Sequence, residues 1–162
     1  MTLTFIRPRA STGELAGSRL LSEENFYDAF IKDLNKCRSE VIIESPFIAG
    51  RRLTTLLPAL QKLKQRGVRI AINTRNPIEH SDDEYWQSEA HRSIARLQHL
   101  GIHILFTGGH HRKLAILDRK ILYEGSLNIL SQNDSCEVMR RIESVQLAWQ
   151  MTKFVGIDKV LT

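Results

Sequence analysis

His111-Arg112-Lys113-Leu114-Ala115-Ile116-Leu117-Asp118-Arg119-Lys120-Ile121-Leu122-Tyr123-Glu124-Gly125-Ser126-Leu127-Asn128 sets two apolar, mostly branched runs on either side of Asp118-Arg119-Lys120. That is the pattern of two strands joined by a hairpin turn. Side chains two apart in a strand share a face. His111 and Lys113 then point one way, and so do Ser126 and Asn128. Closing the hairpin brings an imidazole, an ammonium, a hydroxyl and a carboxamide to one cleft. Such a set suits a phosphodiester: the imidazole attacks phosphorus while the other three hold the non-bridging oxygens.

Upstream of the hairpin, Thr107-Gly108-Gly109 is a flexible link, and residues 102 to 106 read as a strand. Before it, Asp82 or Asp83 caps a helix running to about Leu100 and closed by Gly101. Residues 68 to 73 form a strand with Thr74-Arg75-Asn76-Pro77 as its exit loop. A helix over about 53 to 66 stops at Gly67. Residues 41 to 45 are a buried strand ended by Pro46, and residues 48 to 52 are a loop. Ser22 starts a first helix, reaching about Cys37, with Phe26, Phe30, Ile31 and Leu34 inward. Downstream, residues 136 to 142 read as a last strand. Ser144 caps a final helix with Val145, Leu147, Ala148, Met151 and Phe154 inward. Residues 1 to 20 are poorly defined: Leu3 and Phe5 suggest a short strand, and residues 13 to 18 a loop.

Helices alternating with buried strands predict an α/β fold with a mixed, largely parallel sheet flanked by helices, to which the hairpin adds antiparallel character. The 162 residues fit one domain spanning the chain. There is no internal repeat. The net charge of +5 is compatible with an anionic partner. Cys37 and Cys136 lie far apart in sequence and read as two buried, reduced thiols. The first residues carry no continuous apolar run, so neither a signal peptide nor a membrane span is expected. A cytoplasmic protein without stable membrane association is the expectation. No His or Cys pair stands at zinc spacing, so no metal and no other cofactor is expected. In open α/β sheets ligands sit beyond the C-terminal ends of the parallel strands. Ser45, Arg51, Arg52 and Arg75 lie on loops leaving those ends and are candidate substrate-binding residues, with solvated surface as the plain alternative for the arginines.

The order of residues in the hairpin resembles the motif of the phospholipase D superfamily, H-x-K-x4-D followed by G-S-x-N. His111, Lys113, Asp118, Gly125, Ser126 and Asn128 stand at that spacing. The small size and single motif resemble its endonuclease-like branch and the similar domains attached to helicases. The resemblance implies a phospholipase D-like half-domain and a metal-independent phosphodiesterase, foremost an endonuclease acting on DNA or RNA through a phosphohistidine. It also implies two motifs per active site, hence a homodimer. A helicase or other DNA-processing partner is a further expectation. The alternatives are a phospholipid phosphodiesterase, and a nucleic-acid-binding module with weak activity.

The candidate catalytic residues are His111, Lys113, Asp118, Ser126, Asn128 and Glu137. Asp118 either shapes the turn or, as the resemblance implies, supports the histidine and lysine through hydrogen bonds; the second is the favoured expectation. Glu137 stands where many members of the superfamily carry a downstream carboxylate, and either balances the basic cluster or orients His111. Gly125 serves the backbone, through close approach or an unusual dihedral. His110 faces away from His111 and is structural or exposed.

Overall fold

Apolar side chains at alternate positions place a seven-stranded sheet at the centre of the molecule. The computed structural model describes residues 17–161; the strand expected at Leu3 and Phe5 lies outside them. The strands are β1 (Ser18–Ser22), β2 (Glu40–Glu44), β3 (Arg69–Thr74), β4 (His103–Phe106), β5 (Leu114–Leu117), β6 (Ile121–Gly125) and β7 (Val138–Glu143). Their order across the sheet is β1-β7-β6-β5-β2-β3-β4. The helices are α1 (Phe26–Leu34), α2 (Gly50–Gln65), α3 (Glu84–His99) and α4 (Val145–Val155).

The fold is α/β with a mixed sheet. β2, β3 and β4 are parallel, because α2 and α3 carry the chain back across one face between them. From β5 outward every pairing is antiparallel. This half is larger than a lone hairpin, since β7 returns beside β6 and β1 pairs with β7. β1 falls on residues read as loop and helix start. Its alternation is weak: Leu21 is buried, while Leu20 is 60% exposed.

Strand parity sorts the core into two layers. Val41, Ile43, Ile70, Ile72, Ala115, Leu117 and Tyr123 pack with α1, α2 and α3. Ile42, Ala71, Leu114, Ile116 and Leu122 pack with α4 and the C-terminal segment. Asp33 ties α1 to the sheet. Its carboxylate, buried, accepts from the Tyr123 hydroxyl at 2.6 Å and from Arg141 Nε at 2.5 Å. Burial opposes its charge, but these bonds outweigh that and hold the carboxyl below its ordinary value.

Helix ends follow local chemistry. Asp83 caps α3, accepting from Tyr85 N at 2.7 Å, and Ser144 caps α4, accepting from Leu147 N at 3.2 Å. α1 starts later than Ser22, because Ser22 and Asn25 instead close a turn on one another, Ser22 N to Asn25 Oδ1 at 2.9 Å. Val145 and Phe154, expected inward, are 64% and 74% exposed. They lie off the edge of the stripe that Leu147, Ala148, Met151 and Thr152 turn toward the sheet.

Candidate active site

Pairing antiparallel to β2, β5 begins where β2 ends: Leu114 lies opposite Glu44. The residues before β5 therefore join the loops that leave the parallel strands. The turn at the far end of β5 spans Asp118, Arg119 and Lys120, of which Asp118 and Arg119 have φ 51° and 52°. Both in the left-handed region, they form the tight turn whose twist matches a hairpin. It returns the chain along β6 to the rim. There a Cβ on Gly125 would overlap the Val138 carbonyl and the Met139 backbone, so only glycine lets β6 press so close to β7.

His111 is exposed at this rim. The Lys113 ammonium lies 3.0 Å from His111 Nδ1 and 2.8 Å from its carbonyl oxygen. Burial, with the nearby Arg75, holds Lys113 below the ordinary lysine value against the opposing charge of Glu137. The Ser126 hydroxyl donates to the Glu137 carboxylate and accepts from Val138 N at 3.1 Å. Ser135 Oγ donates to Glu137 Oε1 at 2.8 Å, and Glu137 N donates to Glu23 Oε2 at 2.8 Å. His111 and Lys113 form one bonded pair and Ser126 and Glu137 another; the imidazole takes a bond from the ammonium, and the charge of Glu137 favours that ammonium without bonding to it.

Asn128, expected in the same cleft, lines a neighbouring concavity. His111, Lys113 and Gly125 line their own, of about 580 Å³. Strand pairing ends at Gly125, so the two-residue alternation does not carry through Ser126 to Asn128. The Asn128 side-chain amide oxygen, Oδ1, is buried without a hydrogen-bond partner.

Asp118 corrects the favoured expectation. It lies at the other end of β5, and its carboxylate accepts from the backbone N–H of Arg38, Ser39 and Glu40 at 2.9, 2.8 and 3.0 Å, and from the Ser39 hydroxyl. It holds the hairpin turn to the start of β2 and bonds to neither His111 nor Lys113. Burial disfavours its charge, but these bonds prevail and lower its pKa.

The loop residues divide. Ser45 is fully buried; its hydroxyl donates to the Phe47 carbonyl and accepts from Leu130 N, both at 3.1 Å, which leaves nothing for substrate. Arg52 stacks 3.9 Å over the Tyr27 ring and donates to the Gln132 carbonyl at 3.2 and 3.3 Å. Arg75 donates to the His110 carbonyl at 2.6 Å and lies 5.1 Å over Phe47, beside the motif. Arg51 is exposed and lines the concavity of Asn128.

Two features had little signal in the sequence. Arg112, between His111 and Lys113, turns to the opposite side and grips Glu44 with two nitrogens. Glu44 is fully buried and takes a further bond from Asn73 Nδ2 at 3.3 Å. A carboxylate closing an apolar strand was the one hint that a cation must meet it. His110 is buried, and its Nε2 has no partner. Burial, Arg112 and Arg75 push its pKa down to about 4. It is a neutral structural residue at pH 7. Cys37 is buried, whereas Cys136 is exposed rather than a second buried thiol. Among the described residues no three His, Cys, Asp or Glu side chains group to hold a metal ion, and no helix is long and apolar enough to cross a membrane.

The mixed sheet and its flanking helices are those of a phospholipase D-like domain. The chain matches the family model described as cardiolipin synthase, PLD-like domain, over residues 30–156, a span that contains the whole motif. It belongs to that family and to the phospholipase D superfamily. No curated protein matches it in sequence. Among solved structures it resembles Nuc of Salmonella typhimurium, a phospholipase D family member, at 15% identity and TM-score 0.67, covering 85% of this chain and 90% of that one. NucT from Helicobacter pylori is similar at 17% identity and TM-score 0.66, over 85% and 91%. Polyphosphate kinase from Porphyromonas gingivalis matches at 16% identity and TM-score 0.67, over 86% of this chain and 25% of the kinase. At these identities the likeness establishes the fold.

Proposed function

We propose that the protein is a phosphodiesterase of nuclease type that cleaves DNA or RNA as a homodimer, through a phosphohistidine and without a metal ion. The observation that carries this is the exposed His111 imidazole beside the Lys113 ammonium, at the rim of a phospholipase D-like fold. With Lys113 charged, Nδ1 accepts its proton bond, and a neutral His111 ring carries its hydrogen on Nε2. Attack from Nε2 requires the hydrogen on Nδ1, so Lys113 must turn from the ring to the phosphate oxygens. The reaction therefore needs one neutral imidazole as nucleophile and one imidazolium, with hydrogens on both nitrogens, as acid for the leaving oxygen.

In the proposed reaction Nε2 of one His111 attacks phosphorus, and the bond to the leaving oxygen breaks as the second His111 protonates it. Water then gives its proton to that second ring and attacks phosphorus, which releases the first histidine. Lys113 from each chain neutralises the non-bridging oxygens, and the nearby charge of Glu137 favours the ammonium form of Lys113. Neither His110 nor His80 supplies the second imidazole. His110 is buried, and His80 has Nε2 3.0 Å from the Arg75 carbonyl. The partner's copy of His111 is the simplest source. Its seat is the apolar rim of the His111 concavity, where Leu20, Val138 and Phe154 are exposed. Residues 127 to 131 supply no such rim, because Leu127, Ile129 and Leu130 are buried.

A second reading, a phospholipid phosphodiesterase, draws on the same rim. From Met151 and Phe154 it continues into a groove of about 370 Å³ floored by Leu122, Ile142 and Leu147, a place for an acyl chain. Turnover of labelled DNA, RNA and phospholipid vesicles in excess chelator separates the readings. Nucleic-acid cleavage is the expected result. Vesicle hydrolysis alone selects the second reading, and activity that needs added magnesium or zinc removes the metal-free mechanism.

A further inference from the structure

A concavity of about 680 Å³ opens beside the motif, between the loop after β2, the first turn of α3 and the chain that follows Asn128. The phosphodiester chemistry makes no use of it. Four aromatic rings line it: Phe47, His80, Tyr85 and Trp86. Phe47 and His80 meet edge to face at 5.6 Å, and Tyr85 and Trp86 at 5.1 Å. Tyr85 is 62% and Trp86 55% exposed, while the other two tyrosines are buried in the core. Large aromatics left in water around a concavity mark a binding surface. Two polar residues also line this space, the exposed Arg51 and Asn128.

The wall also holds a carboxylate. Glu89 pairs with Arg92 at 2.8 Å and lies so close to Gly50 that a Cβ there would overlap it. A negative group at that depth disfavours phosphate and favours the amide and amino edges of a planar ring. Phosphate belongs instead at Lys113. The two concavities are neighbours along the chain, since Gly125 borders one and Asn128 the other. Three residues of chain reach at most about 10 Å, a span that one or two nucleotides bridge. Arg75 stands between, with its Nε on the His110 carbonyl and its guanidinium over Phe47.

We infer that this concavity is a nucleobase site, in which an unpaired base stacks on the Trp86 ring with Tyr85 against its edge while a nearby phosphate of the same strand lies at His111 and Lys113. The inference rests on the nuclease reading and narrows it to single-stranded nucleic acid. In a duplex each base is stacked on both faces and paired at its edge, so it enters an aromatic pocket only after leaving the stack. Base-on-aromatic stacking is the usual way single strands are held, and it tolerates any sequence because every base has a flat face.

The test is binding to the full-length His111→Ala protein, with its fold checked by thermal melting. The probes are dodecathymidylate, an abasic strand of the same backbone length, and a blunt duplex. The single strand should quench tryptophan fluorescence and bind more tightly than the other two. Adding Trp86→Ala should weaken dodecathymidylate binding about five- to a hundredfold and leave the abasic strand unchanged, while Trp86→Phe keeps most of the affinity. Equal binding of thymidylate and abasic strands, or an unaltered Trp86→Ala, overturns the base site. So does dissociation of the protein into monomers by Trp86→Ala, which would assign these rings to a second copy. Wild-type turnover is scored separately. A quenched, base-dependent complex without turnover keeps the base site and removes the nuclease reading. Cleavage that ignores Trp86 and strandedness does the reverse.

Discussion

His111 and Lys113 stand two residues apart at the mouth of one strand, and their contact at 3.0 Å reflects that spacing directly. Replacing His111 by alanine should cost more than the roughly 10²–10⁴-fold typical of general acid–base help alone, because the nucleophile goes with it. Single-turnover rates check this; a variant keeping a tenth of wild-type rate would leave the central residue without a role. Asp118 makes the opposite prediction. Its carboxylate holds three backbone N–H groups and one hydroxyl at the start of β2. Asp118→Ala should lower stability by about 1–3 kcal/mol, yet leave turnover by the folded fraction close to wild type. Denaturant melts paired with kcat decide, and a large kcat loss at unchanged stability would return Asp118 to the chemistry. Spacing alone separated these residues poorly. H-x-K places two side chains on one face within a single turn of pleat, which sequence reveals. The aspartate lies a whole strand further on, and which end of the strand meets the substrate is a tertiary fact. Asn128 was misread for a related reason, since alternation holds only while a strand is paired. Ser45 was misread because a position on the right loop says nothing about where its hydroxyl points.

At the scale of elements, the start of β5 is held to the end of β2 by Arg112 on Glu44. Glu44 is fully buried and Arg112 about half exposed. Arg112→Ala would leave a buried carboxylate unpaired, at a cost of about 3–5 kcal/mol. Combining it with Glu44→Gln should cost less than the sum of the two single changes, since each alone strands the other's partner. Additive losses in chemical melts would mean that the pair is not coupled. His110, one residue before the motif, adds a pH dependence. Its folded pKa of about 4 lies below the ordinary 6.5, so between those values the unfolded chain binds a proton that the folded chain refuses. Stability from this group is therefore present at neutral pH, falls as pH drops through that window, and levels off below about 4. The melting temperature of wild type should fall more steeply from pH 7 to 4 than that of His110→Gln; parallel curves would show His110 titrating normally. Most elements were legible. α2, α3, α4 and β2 to β7 lie within a few residues of where periodicity, capping Asp83 and Ser144, and the glycines placed them. β1 was not, because an edge strand with Leu20 in water has no clean alternation and forms by pairing with a β7 that only the fold supplies. The aromatic face at Tyr85 and Trp86 was equally hidden, since two adjacent aromatics opening a helix look like core until the helix is oriented.

At the scale of the molecule, the proposed mechanism needs a second chain, and the exposed apolar groups offer a place for it. Leu20 at 60%, Val138 at 47% and Phe154 at 74% exposure border the concavity of His111 and Lys113. Three isolated apolar residues on a surface are unremarkable; three around a charged motif form a rim that a twofold axis would bury on both sides. A stable contact of this kind covers at least roughly 1,000 Å², more than the rim alone, so neighbouring polar surface must join it. Two Lys113 ammonium groups approaching across the axis repel, and that repulsion is relieved by an anion between them. Inorganic phosphate should therefore tighten the dimer, and sodium chloride at matched ionic strength should do so less. Phe154→Glu puts a charge into the rim without touching the core, since Phe154 packs outward. It should shift the protein toward monomer in sedimentation at low micromolar concentration and lower turnover per chain in proportion, with activity returning as concentration rises. The monomer it produces should still melt cooperatively, because both core layers lie within one chain. A wild-type protein that turns over substrate while strictly monomeric, or a Phe154→Glu dimer as tight as wild type, would refute the shared site or its place on this rim, respectively.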